Sequence, residues 1–120
     1  MAKFVVGDVV IVPFPFSDLT QTKRRPALVV AGLSGEDLIL CQITSQSVAD
    51  EYAVSISAED FSVGGLNQNS NVRPNRIFTA SQSIIAYKAG EILPSKLTEV
   101  IDKIVEILHV NRWRNDGENW

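Results

Sequence analysis

The sequence predicts a small, strongly bent antiparallel β-sheet or barrel with one C-terminal helix packed on it. Three observations carry that prediction. Short β-like runs recur at about ten-residue spacing through the first two-thirds of the chain. No helical pattern lies between them, as parallel βαβ units would require. After Pro94 the apolar period lengthens to that of a helix. With 120 residues, 45% apolar and 21% charged, the chain reads as a single domain, 1–120, with one core.

Residues 9–14 (VVIVPF) are β-branched and aromatic, opened by the turn pair Gly7-Asp8. Pro13 and Pro15 break the run, which suits an edge or a strand end. Residues 27–31 (ALVVA) and 38–44 (LILCQIT) flank GLSGED, a connection of hairpin length. Residues 52–56 (YAVSI) alternate apolar with small polar side chains, and a fifth run lies around residues 72–79. Between these last two, residues 61–71 (FSVGGLNQNSN) read as a polar, glycine-bearing loop and as the best candidate for a mobile segment. In the final third, Leu97, Ile101, Ile104 and Leu108 follow helical spacing, and Val100 and Ile107 widen the stripe. A helix is expected over about 95–110, with Ser95 as N-cap after Pro94 and Arg112 and Arg114 near its negative end.

Composition excludes several chemistries. A net charge of −3 gives no global positive field, so any nucleic-acid site must be a local patch. The lone cysteine, Cys41, forms no internal disulfide and reads as a small buried apolar residue. One histidine, His109, and scattered carboxylates lack the spacing of a metal site, so no metal or other cofactor is expected. His109 also sits near a helix end without a nucleophile nearby in sequence, which argues against a catalytic triad. Gly64-Gly65 has neither the spacing nor the following helix of a phosphate-binding loop. The N-terminal apolar run, interrupted at Gly7-Asp8, is too short for a signal peptide or a membrane span, so the expected location is cytoplasmic.

What remains is arginine with hydroxyls. Lys23, Arg24 and Arg25 cluster in front of ALVVA, and Arg73 and Arg76 flank Pro74-Asn75 at the start of the last β-run. Strand ends of a small barrel converge on one rim, so the two groups have a route to one surface. Guanidinium groups bind phosphate bidentately and stabilise the extra charge of a phosphoryl transition state. Solvated surface is the plainer reading of such a cluster. Thr44 and Ser45 end the run LCQITSQS, either as turn residues or as groups facing a groove.

The stretches GDVVIVPFPFSDLTQTKRRPALVV, CQITSQS, NSNVRPNRIFTASQSII and GEILPSKLTEVIDKIVEIL together resemble the MazF/PemK family of toxins from type II toxin–antitoxin modules. The resemblance runs from residue 6 to about 108. It implies an SH3-like barrel with a C-terminal helix, assembled as a homodimer. It also implies a sequence-specific, metal-independent endoribonuclease that cuts single-stranded RNA, including mRNA, and is held inactive by a cognate antitoxin. The implied reaction is attack of a ribose 2′-hydroxyl on the adjacent phosphorus, leaving 2′,3′-cyclic phosphate and 5′-hydroxyl ends.

Under this resemblance, the arginine of the family's Arg-Pro signature falls on Arg25 and the hydroxyl of its Ile-Thr segment on Thr44. Some relatives carry an arginine and an acid two residues apart; the arginine matches Arg73, but Asn75 replaces the acid. Asn75 cannot accept a proton at neutral pH, so Asp18, in the loop where some relatives have a histidine, is the expected substitute base. Lys23, Arg24, Ser45, Gln46, Arg73, Asn75 and Arg76 are expected to bind RNA, and Phe14, Phe16 and Phe78 are either stacking surfaces or core. The alternative implied by Asn75 is a catalytically weak or inactive relative that binds RNA or antitoxin. A related toxin acting on a protein target such as gyrase fits the Arg-Pro and Ile-Thr signatures less well.

Overall fold

A computed structural model describes residues 3–15 and 22–109, which form one antiparallel sheet of seven strands and a C-terminal helix. In chain order the strands are β1 (Asp8–Pro15), β2 (Thr22–Gly32), β3 (Asp37–Thr44), β4 (Val54–Ile56), β5 (Phe61–Gly64), β6 (Ser70–Ser81) and β7 (Tyr87–Ile92). They lie side by side as β4-β6-β3-β2-β1-β7-β5. The helix α1 spans Pro94–His109. The sheet curls into a half-barrel whose edges, β4 and β5, do not pair with each other. This is the mainly β fold expected, with the barrel left open.

The strongest runs became the centre of the sheet. β2 and β3 pair from Ala27↔Gln42, with Leu33 N–H closing the hairpin on Asp37 O at 3.0 Å. Pleat alternation divides their side chains between two apolar clusters. Val9, Leu28, Cys41, Ile43 and Val72 join Val100 of α1 in one; Val10, Val12, Ala27, Val29 and Leu40 make the other. Cys41 is wholly buried, and burial pushes its thiol up to about 12. It is the inert core residue its neighbours suggested.

The prolines of β1 sit where expected. β7 covers β1 only over Asp8–Ile11, so Pro13 and Pro15 pair with β2 alone and their missing N–H groups cost no ladder bond on the open side.

Several expectations need correction. Lys23, Arg24 and Arg25 are not in a loop before a strand but inside β2, opposite Phe14, Pro13 and Val12. Pro26 is tolerated within the strand because the ladder to β3 begins only at Ala27. Residues 61–71 are not one loop: Phe61–Gly64 is β5, and β6 starts at Ser70. β5 depends on two glycines. Gly64 has φ +64, and a Cβ there would lie 2.2 Å from Ala89 O, while one on Gly90 would lie 2.5 Å from Val63 O. Only bare backbone lets β5 approach β7 so closely.

Pro94 opens α1 and Ser95 lies within it, so Ser95 is not the cap; Lys96 and Leu97 N–H groups both bond to Leu93 O at 3.0 Å. Proline fits the first helical turn because its absent N–H would be unpaired there anyway. The helix seats Leu97, Val100 and Ile104 on the sheet, but the stripe ends early: Leu108 is 63% exposed. Arg112 and Arg114 lie outside the described residues.

Candidate functional site

Three neighbouring strands build the site. β3 lies between β2 and β6, with Gln42 opposite Arg73 and Thr44 opposite Asn71. On the β2 side the last rung is Ala27↔Gln42, so Arg25 stands across from Thr44 just beyond it. Side chains two apart on a strand share a face. Lys23 and Arg25 of β2, Gln42 and Thr44 of β3, and Asn71 and Arg73 of β6 therefore line one face. Adjacent strands are about 5 Å apart, so this row spans about 10 Å from β2 to β6. The two arginines singled out from distant parts of the sequence flank the threonine singled out between them.

The Thr44 hydroxyl accepts the Gln46 N–H at 3.1 Å. The turn reading of Thr44 is thus correct. It leaves the site reading open, because a hydroxyl that accepts through a lone pair still carries a proton to donate. Gln46 is exposed and supports the row through its backbone, its carbonyl accepting Asn71 Nδ2–H at 3.3 Å.

Arg73 is tied down by an ion pair. Its Nη2 donates to Asp50 Oδ2 at 2.9 Å, with the two side chains 21% and 23% exposed. Asn75 Nδ2 approaches the same oxygen at 3.4 Å. Asp50 Oδ1 accepts the backbone N–H groups of Tyr52 and Ala53 at 2.9 and 3.0 Å. The Arg73 contact, ahead of these other hydrogen bonds, holds the Asp50 carboxyl below the usual aspartate range despite the opposing effect of burial. Asp50 was not among the expected site residues. It lies 23 positions from Arg73 and gives no local signal beyond that of a turn.

Not every expected residue joins the row. Alternation sets Arg24 on the opposite face from Arg25. Arg24 lines a cleft of about 250 Å³ that opens where β2 and β3 part. Arg25, Pro26, Ile43 and Ser45 also line it, and Leu66, Asn67, Gln68 and Ser70 form its far wall. A neighbouring cleft of about 350 Å³ shares Ser45 and Ser70 and adds Ser47, Ser55, Ser57, Asn69 and Asn71. Ser45 is therefore common to both clefts, and hydroxyl and amide groups dominate the second.

Arg76 is exposed and lines neither cleft, because β6 bulges. Gln42 pairs with Arg73 and Cys41 with Ile77, which pushes Pro74, Asn75 and Arg76 out of the ladder. Of the aromatic candidates, Phe14 and Phe78 pack edge to face at 4.9 Å against the second apolar cluster, so the core reading holds for them. Asp18 and Phe16 lie outside the described residues. Among the described residues no group of three or more His, Cys, Asp or Glu side chains could hold a metal ion.

Comparison with known proteins agrees with this architecture. Residues 6–108 match the PemK-like, MazF-like toxins of type II toxin–antitoxin systems. No curated protein sequence matches the chain significantly. Among solved structures, a mycobacterial endoribonuclease in complex with its cognate antitoxin superposes with a TM-score of 0.70 at 15% identity, covering 98% of both chains. The MazE–MazF complex of Deinococcus radiodurans (Form-III) gives 0.64 at 24% identity, over 86% of this chain and 94% of that one. MazF of the same organism (Form-I) gives 0.65 at 25% identity over the same shares.

Proposed function

The chain belongs to the PemK-like, MazF-like toxin family of type II toxin–antitoxin systems, and from that premise we propose that it cuts single-stranded RNA within a short sequence motif, without a metal. The observation that supports this most is the row Arg25, Thr44, Arg73, carried on three adjacent strands and facing one way.

The proposed reaction is an internal transesterification. The ribose 2′-oxygen forms a bond to phosphorus, the bond from phosphorus to the 5′-oxygen breaks, and 2′,3′-cyclic phosphate and 5′-hydroxyl ends result. Arg25 clamps the non-bridging oxygens; a guanidinium keeps its charge in proteins, which makes it a good clamp and a poor acid. Thr44 donates its hydroxyl proton to the same phosphate, and Arg73 adds a second charge from the β6 side. The proton of the 2′-hydroxyl passes to Asp18, the proposed base, and the departing 5′-oxygen takes one from water. Lys23, Arg24, Ser45 and Gln46 bind the flanking nucleotides, and the second cleft, where hydroxyl and amide groups dominate, receives a base whose edge pairs with such groups.

The proposed partners are a cognate antitoxin and a second copy of the chain. Two similar structures are complexes with an antitoxin or MazE. Exposed Val63, Tyr87, Val105 and Leu108 provide apolar surface for such contacts.

Incubating the purified chain with a long RNA in EDTA and mapping the ends tests the reading. Cuts at one motif, bearing cyclic phosphate and absent from Arg25→Ala, are expected; RNA left intact by the wild-type chain overturns it. A second reading, an RNA- or antitoxin-binding module without cleavage, has Asn75 in its favour. It predicts retention of RNA on the chain with no new ends.

A further inference from the structure

We propose that Asp50 is a positioning residue for RNA cleavage, acting through Arg73; the role rests on the endoribonuclease reading above. The two oxygens of Asp50 do separate work. Oδ1 accepts the Tyr52 and Ala53 N–H groups and so shapes the connection between β3 and β4. Oδ2 accepts Arg73 Nη2–H and Asn75 Nδ2–H, and so ties that connection to β6.

Arg73 needs such a tie. Its side chain leaves β6 beside a three-residue bulge, where the ladder gives the backbone no support on the C-terminal side. Among the described residues its Nε is buried without a hydrogen-bond partner, and the Asp50 carboxylate holds the guanidinium from one arm, at Nη2. An arginine side chain carries large rotamer freedom, and a fixed carboxylate at 2.9 Å removes much of it before a phosphate arrives. The tie fixes a guanidinium whose residue stands on the face that also bears Thr44 and Arg25.

Proton abstraction is a poorer role for this carboxylate. Both oxygens are engaged as acceptors, and the contact with Arg73 favours the ionised form, which weakens it as a base. Asp50 therefore occupies the neighbourhood of Asn75 without doing what an acid at position 75 would do. It orients a cation.

A double-mutant cycle tests this. Initial rates at the most-used cut site of a long mixed-sequence RNA, in EDTA and below saturation, are compared for wild type, Asp50→Asn, Arg73→Ala and the double variant. Asp50→Asn keeps an acceptor for the Tyr52 and Ala53 N–H groups while removing the charge that holds Arg73. A loss of about 10-fold or more is expected from Asp50→Asn, since small misplacements of a binding group cost this much. Arg73→Ala is expected to lose at least as much, and the double variant no more than Arg73→Ala alone.

An equal further loss from Asp50→Asn in the Arg73→Ala background overturns the proposal, because Asp50 would then act by another route. An active wild type whose rate is unchanged by Asp50→Asn also overturns it. A wild-type chain that leaves RNA intact instead removes the endoribonuclease reading, and the positioning role with it. If Asp50→Asn does not give the native circular-dichroism spectrum, Asp50→Ser takes its place in the cycle, because a serine hydroxyl also accepts turn N–H groups.

Discussion

Gln46 donates its backbone N–H to the Thr44 hydroxyl at 3.1 Å, so one side chain both ends β3 and keeps a proton to give. Substitution separates the two jobs. Thr44→Val keeps the β-branched shape and loses the hydroxyl, whereas Thr44→Ser keeps the hydroxyl. Thr44→Val is expected to lose about 1 kcal/mol of stability from the broken turn bond and about 100-fold in cleavage. Thr44→Ser is expected to retain most of both. Urea unfolding and RNA cleavage rates check this, and equal activity in the valine variant makes Thr44 purely structural.

Arg25 admits a similar distinction between charge and shape. Lysine keeps the charge but not the planar fork that meets two phosphate oxygens at once. Both Arg25→Lys and Arg25→Ala are therefore expected to lose about 100-fold or more in kcat/KM. Wild-type rates in the lysine variant refute the bidentate clamp.

Asp50 makes stability depend on acid. Its folded pKa lies below its unfolded one, so the contribution is complete above the ordinary aspartate value of about 3.9 and is lost as pH falls through the lower folded value. Compared with Asp50→Asn, the wild-type chain is expected to be more stable by about 1 kcal/mol at neutral pH. That advantage shrinks in the acidic range below the ordinary value. Unfolding free energies of the two proteins across pH give the answer, and a difference that stays constant contradicts the ion-pair account.

Gly90 is a test of β5. A methyl group there meets Val63 O at 2.5 Å, and backbone is what must yield. Gly90→Ala is expected to cost about 1–3 kcal/mol. Amide exchange in β5 and β7 should accelerate ahead of β2 and β3. Uniform protection across all four strands counts against the close approach as a stability determinant.

Much of this architecture is legible in the chain itself. VVIVPF, ALVVA and LILCQIT declare strands because their β-branched and apolar side chains suit surfaces that end up buried on both sides. The helix declares itself through Leu97, Val100 and Ile104, all of which reach the core. YKAGEI does not announce β7, since Tyr87 and Lys88 are exposed and Gly90 is there for closeness rather than propensity. FSVGGLNQNSN misleads for the same reason. Its glycine permits strand contact where glycine ordinarily marks a loop.

The site was partly legible. Arg25, Thr44 and Arg73 are identifiable from short signatures, yet their common face depends on register, and the cleft where Arg24 and Arg25 both stand depends on the fold. Asp50 had no such signature. Its significance comes from the fold bringing the connection after β3 against the bulged strand β6.

That bulge has a consequence for how such a chain changes over time. Pro74, Asn75 and Arg76 stand between two intact rungs, Gln42↔Arg73 and Cys41↔Ile77, which hold register independently on either side. A change of length confined to this interval leaves the side chains of β6 on either side of it on their own faces. Arg73 stays on its rung throughout; beside it Pro74 is buried, and only Asn75 and Arg76 of the bulge are exposed. The row of Arg25, Thr44 and Arg73 and the surface around the bulge are thereby open to separate selection.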